Sequence, residues 1–292
     1  MKILIPNLNI PCFNDIAQCL ESIKSQNIEI IFWNPHFKSM IDVFDEIHPD
    51  IIFVDRSQLD ASFAFICQEF YNDFKYILHS TTELPKQLIK LPEIIITYHE
   101  IKHLFKDHET IAMKPVARVA QIHNAQYDNK MHSEILINTT GVNFEQDKTI
   151  IQLLLFLIAN YKTKIIGNSQ IRLHNYLGKV DIFERANFIK SAKIVIDING
   201  SDCFDSAYLK TPSLSLGKLN NTILHFADTK TLKSNIDTIL NKKLARTRYV
   251  DECYKEICNG KTSYHFASQI FDKINENDIS QKLLAYIKGL IS

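Results

Sequence analysis

Short runs of β-branched and aliphatic residues alternate with segments of helical period, and this alternation constrains the fold more than any other feature. In the first half, strands are predicted at residues 2–5, 29–33, 51–55, 76–79, 94–97 and 110–113, with amphipathic helices at 14–25, 40–47 and 61–71. Strands separated by helices pair in parallel, because each connection crosses over the sheet. The first half therefore predicts a parallel sheet covered by helices.

The same alternation restarts after a polar segment without either period, KPVARVAQIHNAQYDNKMH (residues 114–132). Strands are then predicted at 134–138, 164–167 and 193–198, and helices at 148–160 and 182–191. A chain of 292 residues also exceeds the usual size of a domain with a single hydrophobic core. We predict an α/β protein of two Rossmann-like parallel-sheet domains facing a cleft, with residues 1–125 in the first domain and 126–292 in the second.

Charge, cysteine content and apolar run length exclude several classes of protein. Lys+Arg and Asp+Glu both number 33, so no overall field attracts nucleic acid or an anionic membrane. The six cysteines lack the paired spacing of a zinc site, which favours buried free thiols and no bound metal. No apolar run reaches the roughly 18 residues of a membrane span, so we expect no transmembrane segment and a cytoplasmic location.

One stretch departs from the even charge distribution, KTLKSNIDTILNKKLARTRY at residues 230–249. A solvated helical face explains such a run, and an acceptor rich in phosphate, such as DNA, is the alternative. The cations are Lys230, Lys233, Lys242, Lys243, Arg246 and Arg248.

An acidic residue follows the apolar run KIVIDING, near the predicted carboxyl end of a strand. In SDCFDSAYLKTP, Asp205 lies seven residues before Pro212. Ligands of open α/β sheets bind outside the carboxyl ends of the strands, which is where this segment starts. An aspartate there can also cap the helix that begins near it. Both readings of Asp205 stay open at this point.

The run DSAYLKTP resembles the E-A-x-x-x-G-x-P segment of GT-B fold glycosyltransferases, and the resemblance covers residue 134 to the end of the chain. It implies that Asp205, with Ser206 beside it, accepts hydrogen bonds from the ribose hydroxyls of a donor nucleotide. An anion suits that task, since charge-assisted hydrogen bonds are the stronger kind. Here aspartate replaces glutamate, and Lys210 stands at the glycine position.

Further positions of the second half match the same family. In IIGNSQIRLHNYLGKVDIF, Gly167 and Val180 stand where the family contacts the nucleoside base. In TTGVNFEQDK, Gly141 and Lys148 correspond to the turn that faces the diphosphate, while Thr140 replaces an arginine there. The candidates to take over the role of that arginine are Arg172 and Lys179.

The closing segment CNGKTSYHFASQIFDKI resembles the CgeB-like (spore-maturation) group of GT-B proteins. By the same resemblance the first domain holds the acceptor and any catalytic base. Its candidates are His79, after the fourth strand, and His99 and Glu100, after the fifth, because a histidine titrates near neutral pH. Asp55 resembles a receiver-domain phosphoacceptor only in position, and we discount that interpretation.

Together these residues predict a glycosyltransferase that moves a hexosyl-like sugar from a nucleotide-diphosphate sugar, UDP- or GDP-linked, to a glycan, protein or nucleic acid. The Asp205 run favours a retaining, metal-independent reaction without a covalently bound cofactor. The missing arginine and altered glycines support an alternative, a catalytically silent GT-B-like binding or scaffolding protein.

Overall fold

Two six-stranded parallel sheets organise the chain, each in its own compact unit. The computed structural model describes residues 1–7, 10–24, 27–85, 87–142, 148–167 and 175–292. The first unit comprises Met1–Lys114 together with Ser263–Ser292, and the second comprises Pro115–Thr262.

The first unit has strand order β2-β1-β3-β4-β5-β6. This order reverses direction between β1 and β3, which makes their carboxyl ends the topological switch point of the sheet. The strands are β1 (Lys2–Pro6), β2 (Glu29–Trp33), β3 (Ile51–Asp55), β4 (Lys75–His79), β5 (Ile94–Tyr98) and β6 (Thr110–Met113). The helices are α1 (Pro11–Ser22), α2 (Met40–Ile47), α3 (Ala61–Glu69), and, from the end of the chain, α10 (Ser263–Lys273) and α11 (Asn277–Ile291); 3-10 segments cover Arg56–Gln58 and His99–Phe105.

The second unit has strand order β12-β11-β10-β7-β8-β9, the order of a dinucleotide-type Rossmann sheet, with its switch point between β7 and β10. The strands are β7 (Ser133–Asn138), β8 (Thr163–Ile166), β9 (Tyr176–Gly178), β10 (Ala192–Asp197), β11 (Ser213–Leu216) and β12 (Leu224–Phe226). The helices are α4 (Val119–Ile122), α5 (Lys148–Asn160), α6 (Ile182–Ser191), α7 (Ser201–Tyr208), α8 (Thr229–Asn241) and α9 (Lys243–Cys258).

Local sequence signals explain where several elements begin. Pro11 opens α1, where its missing N–H costs nothing. Ser39 accepts a hydrogen bond from the Asp42 amide at the start of α2, and Asp60 accepts one from the Phe63 amide at the start of α3. The central strands are buried on both faces, which explains why they are nearly continuous aliphatic runs.

These sheets confirm the predicted fold class, two Rossmann-like α/β domains. The compact units divide the chain differently from the predicted domains 1–125 and 126–292. Residues 115–125 belong to the second unit, and residues 263–292 return to the first. Side chains explain the return: Tyr264 donates to Ser22 Oγ at 2.7 Å, and Lys75 on β4 pairs with Glu276 at 2.6 Å.

Other differences are local. β9, only three residues long, was not predicted as a strand, because Tyr-Leu-Gly is too short to show a period. Helix α1 begins at Pro11, three residues before the predicted start. The six cysteines are free thiols and five of them are buried, as predicted. No helix in the described ranges of the chain is long and apolar enough to cross a bilayer.

Candidate functional site

A histidine and an aspartate meet at the carboxyl edge of the first sheet. Asp55 ends β3 and His79 ends β4, and the two residues are direct partners in the parallel register. His79 Nδ1 lies 2.8 Å from Asp55 Oδ2. The register of adjacent strands therefore brings together two residues that are 24 positions apart in sequence.

The surroundings of Asp55 keep its carboxylate ionised and fixed. Burial alone would raise its pKa, but hydrogen bonds from His79 and Ser57 hold the pKa below its usual range. Its Oδ1 accepts from the Ser57 amide at 2.9 Å, and its own amide donates to Gln58 Oε1 at 2.9 Å. An ionised carboxylate can only accept, so Nδ1 of His79 carries the proton and Nε2 is left as the basic nitrogen.

Packing also restrains the imidazole ring of His79. The residue is only 8% exposed. The Phe13 ring of α1 meets it edge-on, with centroids 5.8 Å apart. Within the described ranges of the chain, Nδ1 is held by a carboxylate and Nε2 makes no hydrogen bond, an arrangement that suits proton transfer.

The other two predicted catalytic residues are arranged differently. His99 and Glu100 open the 3-10 segment after β5 and are exposed. The backbone carbonyl of Glu100 accepts from His103 Nδ1 at 3.0 Å. Among the residues that the structure describes, neither forms an ion pair, and neither is joined to the His79–Asp55 pair by a hydrogen bond.

At the switch point of the second sheet, polar groups and glycines crowd the ends of β7, β8 and β10. Asn138 ends β7, and its Oδ1 accepts from the Thr140 amide at 2.9 Å. Asn199, after β10, donates from Nδ2 to the Thr140 carbonyl at 2.6 Å. Gly141 has φ +74°, and a Cβ there would lie 2.7 Å from Asn199 Nδ2. Gly167 has φ +112°, and its Cβ would lie 2.5 Å from the Thr140 amide nitrogen. The predicted Gly141 and Gly167 therefore lie together at this edge.

Three buried carboxylates lie beside this switch point, with two arginines among them. Arg118 donates from Nε to Asp205 at 2.8 Å and from Nη2 to Asp202 at 2.8 Å, and its amide donates to Asp205 at 2.8 Å. Arg185 Nη1 lies 3.6 Å from Asp202. Asp197, Asp202 and Asp205 are each at most 1% exposed. We call these five residues the acidic cluster.

Asp197 is the one carboxylate of the acidic cluster that forms no ion pair in the described part of the chain. Its Oδ2 accepts from the Asp202 amide, while Oδ1 is buried without a hydrogen-bond partner. Burial, and then the charge of Asp202, raise the pKa of Asp197 to about 7. Burial raises the pKa of Asp202 as well, but Arg185 and Arg118 oppose that rise. At pH values below about 7, a proton on Asp197 therefore relieves the excess negative charge of the cluster.

The predicted ribose-binding residues lie inside this unit. Asp205 is held by Arg118 and is 1% exposed, while Ser206 is fully buried with its Oγ unpaired. Binding of ribose by Asp205 stays a prediction, and it requires the Arg118 ion pair to open. Val180 is half-buried between β9 and α6. Arg172 lies outside the described residues, and of Lys148 the structure gives only its backbone position at the start of α5.

In the second unit, aspartate side chains already accept hydrogen bonds from amides in the first turns of three helices. Asp181 accepts from the Phe183 and Glu184 amides at the start of α6, both at 2.8 Å. Asp197 accepts from the first turn of α7, and Asp228 accepts from the Thr231 amide of α8 at 2.7 Å. Helix starts of this kind attract phosphate groups. A diphosphate would compete with an internal carboxylate at all three.

Sequence reasoning missed Asp55, Arg118 and most of the acidic cluster. Asp55 and His79 both end a run of apolar residues, so their pairing could have been found by placing the two strands side by side. Arg118 lies in a polar segment that shows no period, and nothing in the sequence indicates a partner 87 residues away.

No protein-family model and no curated protein matches the chain. Solved structures do match it. A UDP-GlcNAc 2-epimerase from Neisseria meningitidis bound to UDP-GlcNAc has TM-score 0.59 at 10% identity, covering 95% of this chain and 100% of its own. The S. aureus MnaA–UDP co-structure has TM-score 0.57 at 11% identity, covering 94% and 97%. The spinosyn forosaminyltransferase SpnP has TM-score 0.56 at 9% identity, covering 94% and 99%.

These similarities establish the GT-B-like two-domain α/β fold. Of the three neighbours, one is an epimerase bound to a nucleotide sugar, one is bound to UDP and one is a glycosyltransferase. Membership of the CgeB-like group stays a prediction.

Proposed function

We propose that the chain is a nucleotide-sugar enzyme that transfers a glycosyl group, with His79 as the general base. The observation that carries this proposal is the 2.8 Å contact between His79 Nδ1 and Asp55 at the carboxyl ends of adjacent strands. In the reaction, Nε2 of His79 removes the proton of an acceptor hydroxyl as its oxygen attacks the anomeric carbon. The bond from that carbon to the diphosphate oxygen breaks, and the nucleoside diphosphate leaves with the electron pair. Asp55 fixes the tautomer and stabilises the imidazolium that forms.

Activation of the acceptor by a base favours a single displacement, and hence inversion at the anomeric carbon. The sequence favoured retention, on the strength of the Asp205 run alone. Because Arg118 engages both oxygens of Asp205, that run gives weaker support to a retaining reaction than the His79–Asp55 pair gives to an inverting one.

The donor is proposed to bind at the switch point of the second sheet, between β7 and β10, because ligands of open α/β sheets bind at such points. A UDP-sugar is the first donor to test, because the Neisseria meningitidis and S. aureus structures contain UDP-GlcNAc and UDP. A GDP-sugar is the second. Glycans, proteins and nucleic acids are the candidate acceptors, and the same assay compares them.

The test separates donor binding from chemistry. Wild type is screened for release of nucleotide from UDP-, GDP-, TDP-, ADP- and CMP-sugars, and His79→Gln and His99→Gln are then compared on the active donor. His79→Gln is expected to lower turnover by about 10²–10⁴ fold with the donor dissociation constant unchanged. His99→Gln is the matched control, an exposed histidine directly after the next strand, β5, and is expected to keep wild-type turnover.

Equal losses in the two variants would refute the base assignment. Absence of binding to every nucleoside diphosphate, measured by calorimetry, would refute the nucleotide-sugar proposal and favour the scaffolding alternative.

A second candidate is 2-epimerisation of a UDP-sugar, which the similarity to the Neisseria meningitidis epimerase supports. The same base would then remove a proton from carbon 2 of the sugar, as the C–H electron pair forms a double bond to carbon 1 and UDP leaves with the carbon–oxygen electron pair. Return of UDP to carbon 1 and of a solvent-derived proton to the opposite face of carbon 2 would complete the epimerisation. Incubation of UDP-GlcNAc with enzyme in D₂O distinguishes the two. Deuterium appears at carbon 2 in epimerisation, whereas transfer leaves that position protonated and releases nucleotide in proportion to acceptor.

A further inference from the structure

A group of exposed cations covers the corner between α8 and α9 in the second unit. We call this group the basic corner: Lys230, Lys233, Lys242, Lys243, Arg246 and Arg248. Five of them are exposed and Arg246 is half-buried. Between Lys230 and Arg248 the chain contains one carboxylate, Asp237. A protein with no net charge therefore concentrates positive charge at one place.

The basic corner is not neutralised within the molecule. None of its six cations forms an ion pair with any carboxylate in the described ranges of the chain, whereas Lys75, Lys193, Lys261 and Lys273 elsewhere all do. Lys242 and Lys243 also stand at the start of α9, where no acidic residue occupies the first turn. Cations there oppose the helix dipole, so their position is unfavourable for the stability of α9 itself.

An open groove runs along α8 within this corner. Its volume is about 430 Å³, and Lys230, Lys233 and Lys242 line it with Ser234, Thr238 and Asn241. Ammonium groups, hydroxyls and a side-chain amide can all donate hydrogen bonds, which suits phosphate oxygens. Asp237 is the one carboxylate on the lining.

The exposed side chain of Leu244 favours one class of anionic partner over another. It follows Lys243 in the first turn of α9 and is 78% exposed, among the most exposed large apolar side chains of the unit. An apolar side chain surrounded by cations fits the interface of an anionic bilayer, where the leucine enters the acyl boundary while lysines meet headgroup phosphates. A single-stranded nucleic acid is bound through exposed aromatic rings on which bases stack. The one aromatic residue of this stretch, Tyr249, is partly buried against the core.

We propose that the basic corner, with Leu244 at its centre, docks the protein on an anionic phospholipid surface. The partner is a bilayer that displays clustered phosphate headgroups. The docking depends on the second unit alone and is independent of the proposed sugar transfer.

Vesicle co-sedimentation tests this proposal. The full chain is mixed with vesicles of phosphatidylcholine alone or with 30% phosphatidylglycerol. Binding is expected only with phosphatidylglycerol and is expected to fall steeply with salt. The variant Lys242→Gln/Lys243→Gln/Arg248→Gln is expected to lose about 100-fold in partition, at about fivefold per cation.

Matched controls make the test specific. Lys24→Gln/Lys106→Gln/Lys288→Gln removes three exposed lysines of the other unit and is expected to bind as wild type. Leu244→Ser retains every charge and is expected to bind vesicles several-fold more weakly while leaving binding of duplex DNA unchanged.

Three outcomes would overturn the proposal. The first is equal loss in the control triple variant, and the second is tighter binding to a duplex DNA than to the vesicles. The third is full displacement from vesicles by millimolar glycerol phosphate, because a single soluble headgroup would then satisfy the groove.

Discussion

The proton on Asp197 gives the second unit an unusual dependence of stability on pH. A carboxyl whose pKa is raised to about 7 in the folded chain binds a proton more tightly there than in the unfolded chain, where the pKa is near 4. Stability from this group is complete below pH 4 and is lost as pH rises towards 7. The full loss corresponds to roughly 4 kcal/mol, of which roughly 3 kcal/mol falls between pH 5 and pH 8.

Asp197→Asn removes the titration and keeps an oxygen for the Asp202 amide. We expect the variant to be less sensitive to pH, so that its stability relative to wild type increases by roughly 3 kcal/mol between pH 5 and pH 8. Asp228→Asn is the matched control, since Asp228 is also an aspartate that caps a helix, but hydrogen bonds from Thr231 lower its pKa. Its titration is complete below pH 5, so no change is expected over the same range.

The assay must report on the second unit. The single tryptophan, Trp33, is on β2 in the first unit, so its fluorescence follows that unit only. Hydrogen exchange measured by mass spectrometry, on peptides covering β10 and α7, follows the region around Asp197 directly. Parallel pH profiles for wild type and Asp197→Asn would refute the assignment of the proton to this residue.

Two further substitutions test the packing of the same edge. Arg118→Met leaves two buried carboxylates without their nearest cation and is expected to destabilise the second unit by about 3–5 kcal/mol. Adding Asp205→Asn to this variant should recover part of the lost stability. A loss of stability below about 1 kcal/mol in Arg118→Met would contradict the ion-pair account. Gly167→Ala is expected to cost more than Gly178→Ala in urea unfolding. Both glycines have positive φ, but only at Gly167 does an added Cβ meet backbone, 2.5 Å from the Thr140 amide nitrogen, so equal costs would exclude the steric explanation.

Periodicity was sufficient to predict the fold because the central strands are buried on both faces. Runs such as IIFV of β3 and IVI of β10 are then apolar throughout, and the helices between the strands show their own period. Three-residue β9 is too short for that signal. The return of α10 and α11 to the first unit depends on contacts such as Lys75–Glu276, which pair residues 201 positions apart and leave no local trace.

The candidate site was partly predictable for the same reason. His79 was identified because it ends a predicted strand, whereas Gly141 and Gly167 were identified from the resemblance to GT-B glycosyltransferases, and both have positive φ in the structure. Burial of Asp205 was not predictable, because the sequence favoured a helix start beside it, whereas α7 begins at Ser201 and places Asp205 in mid-helix, so the capping interpretation is wrong. Its partner Arg118 comes from a segment without period and binds Asp202 as well.

The division of the chain affects the order in which its parts can fold during synthesis. The second unit is continuous from Pro115 to Thr262, whereas the first needs residues 263–292 to complete it. Domains ordinarily fold in the order in which the ribosome produces them. Here the sheet of the first unit leaves the ribosome before the second unit yet lacks α10 and α11 until residues 263–292 have been translated, so the inserted unit is the first that can reach its native state.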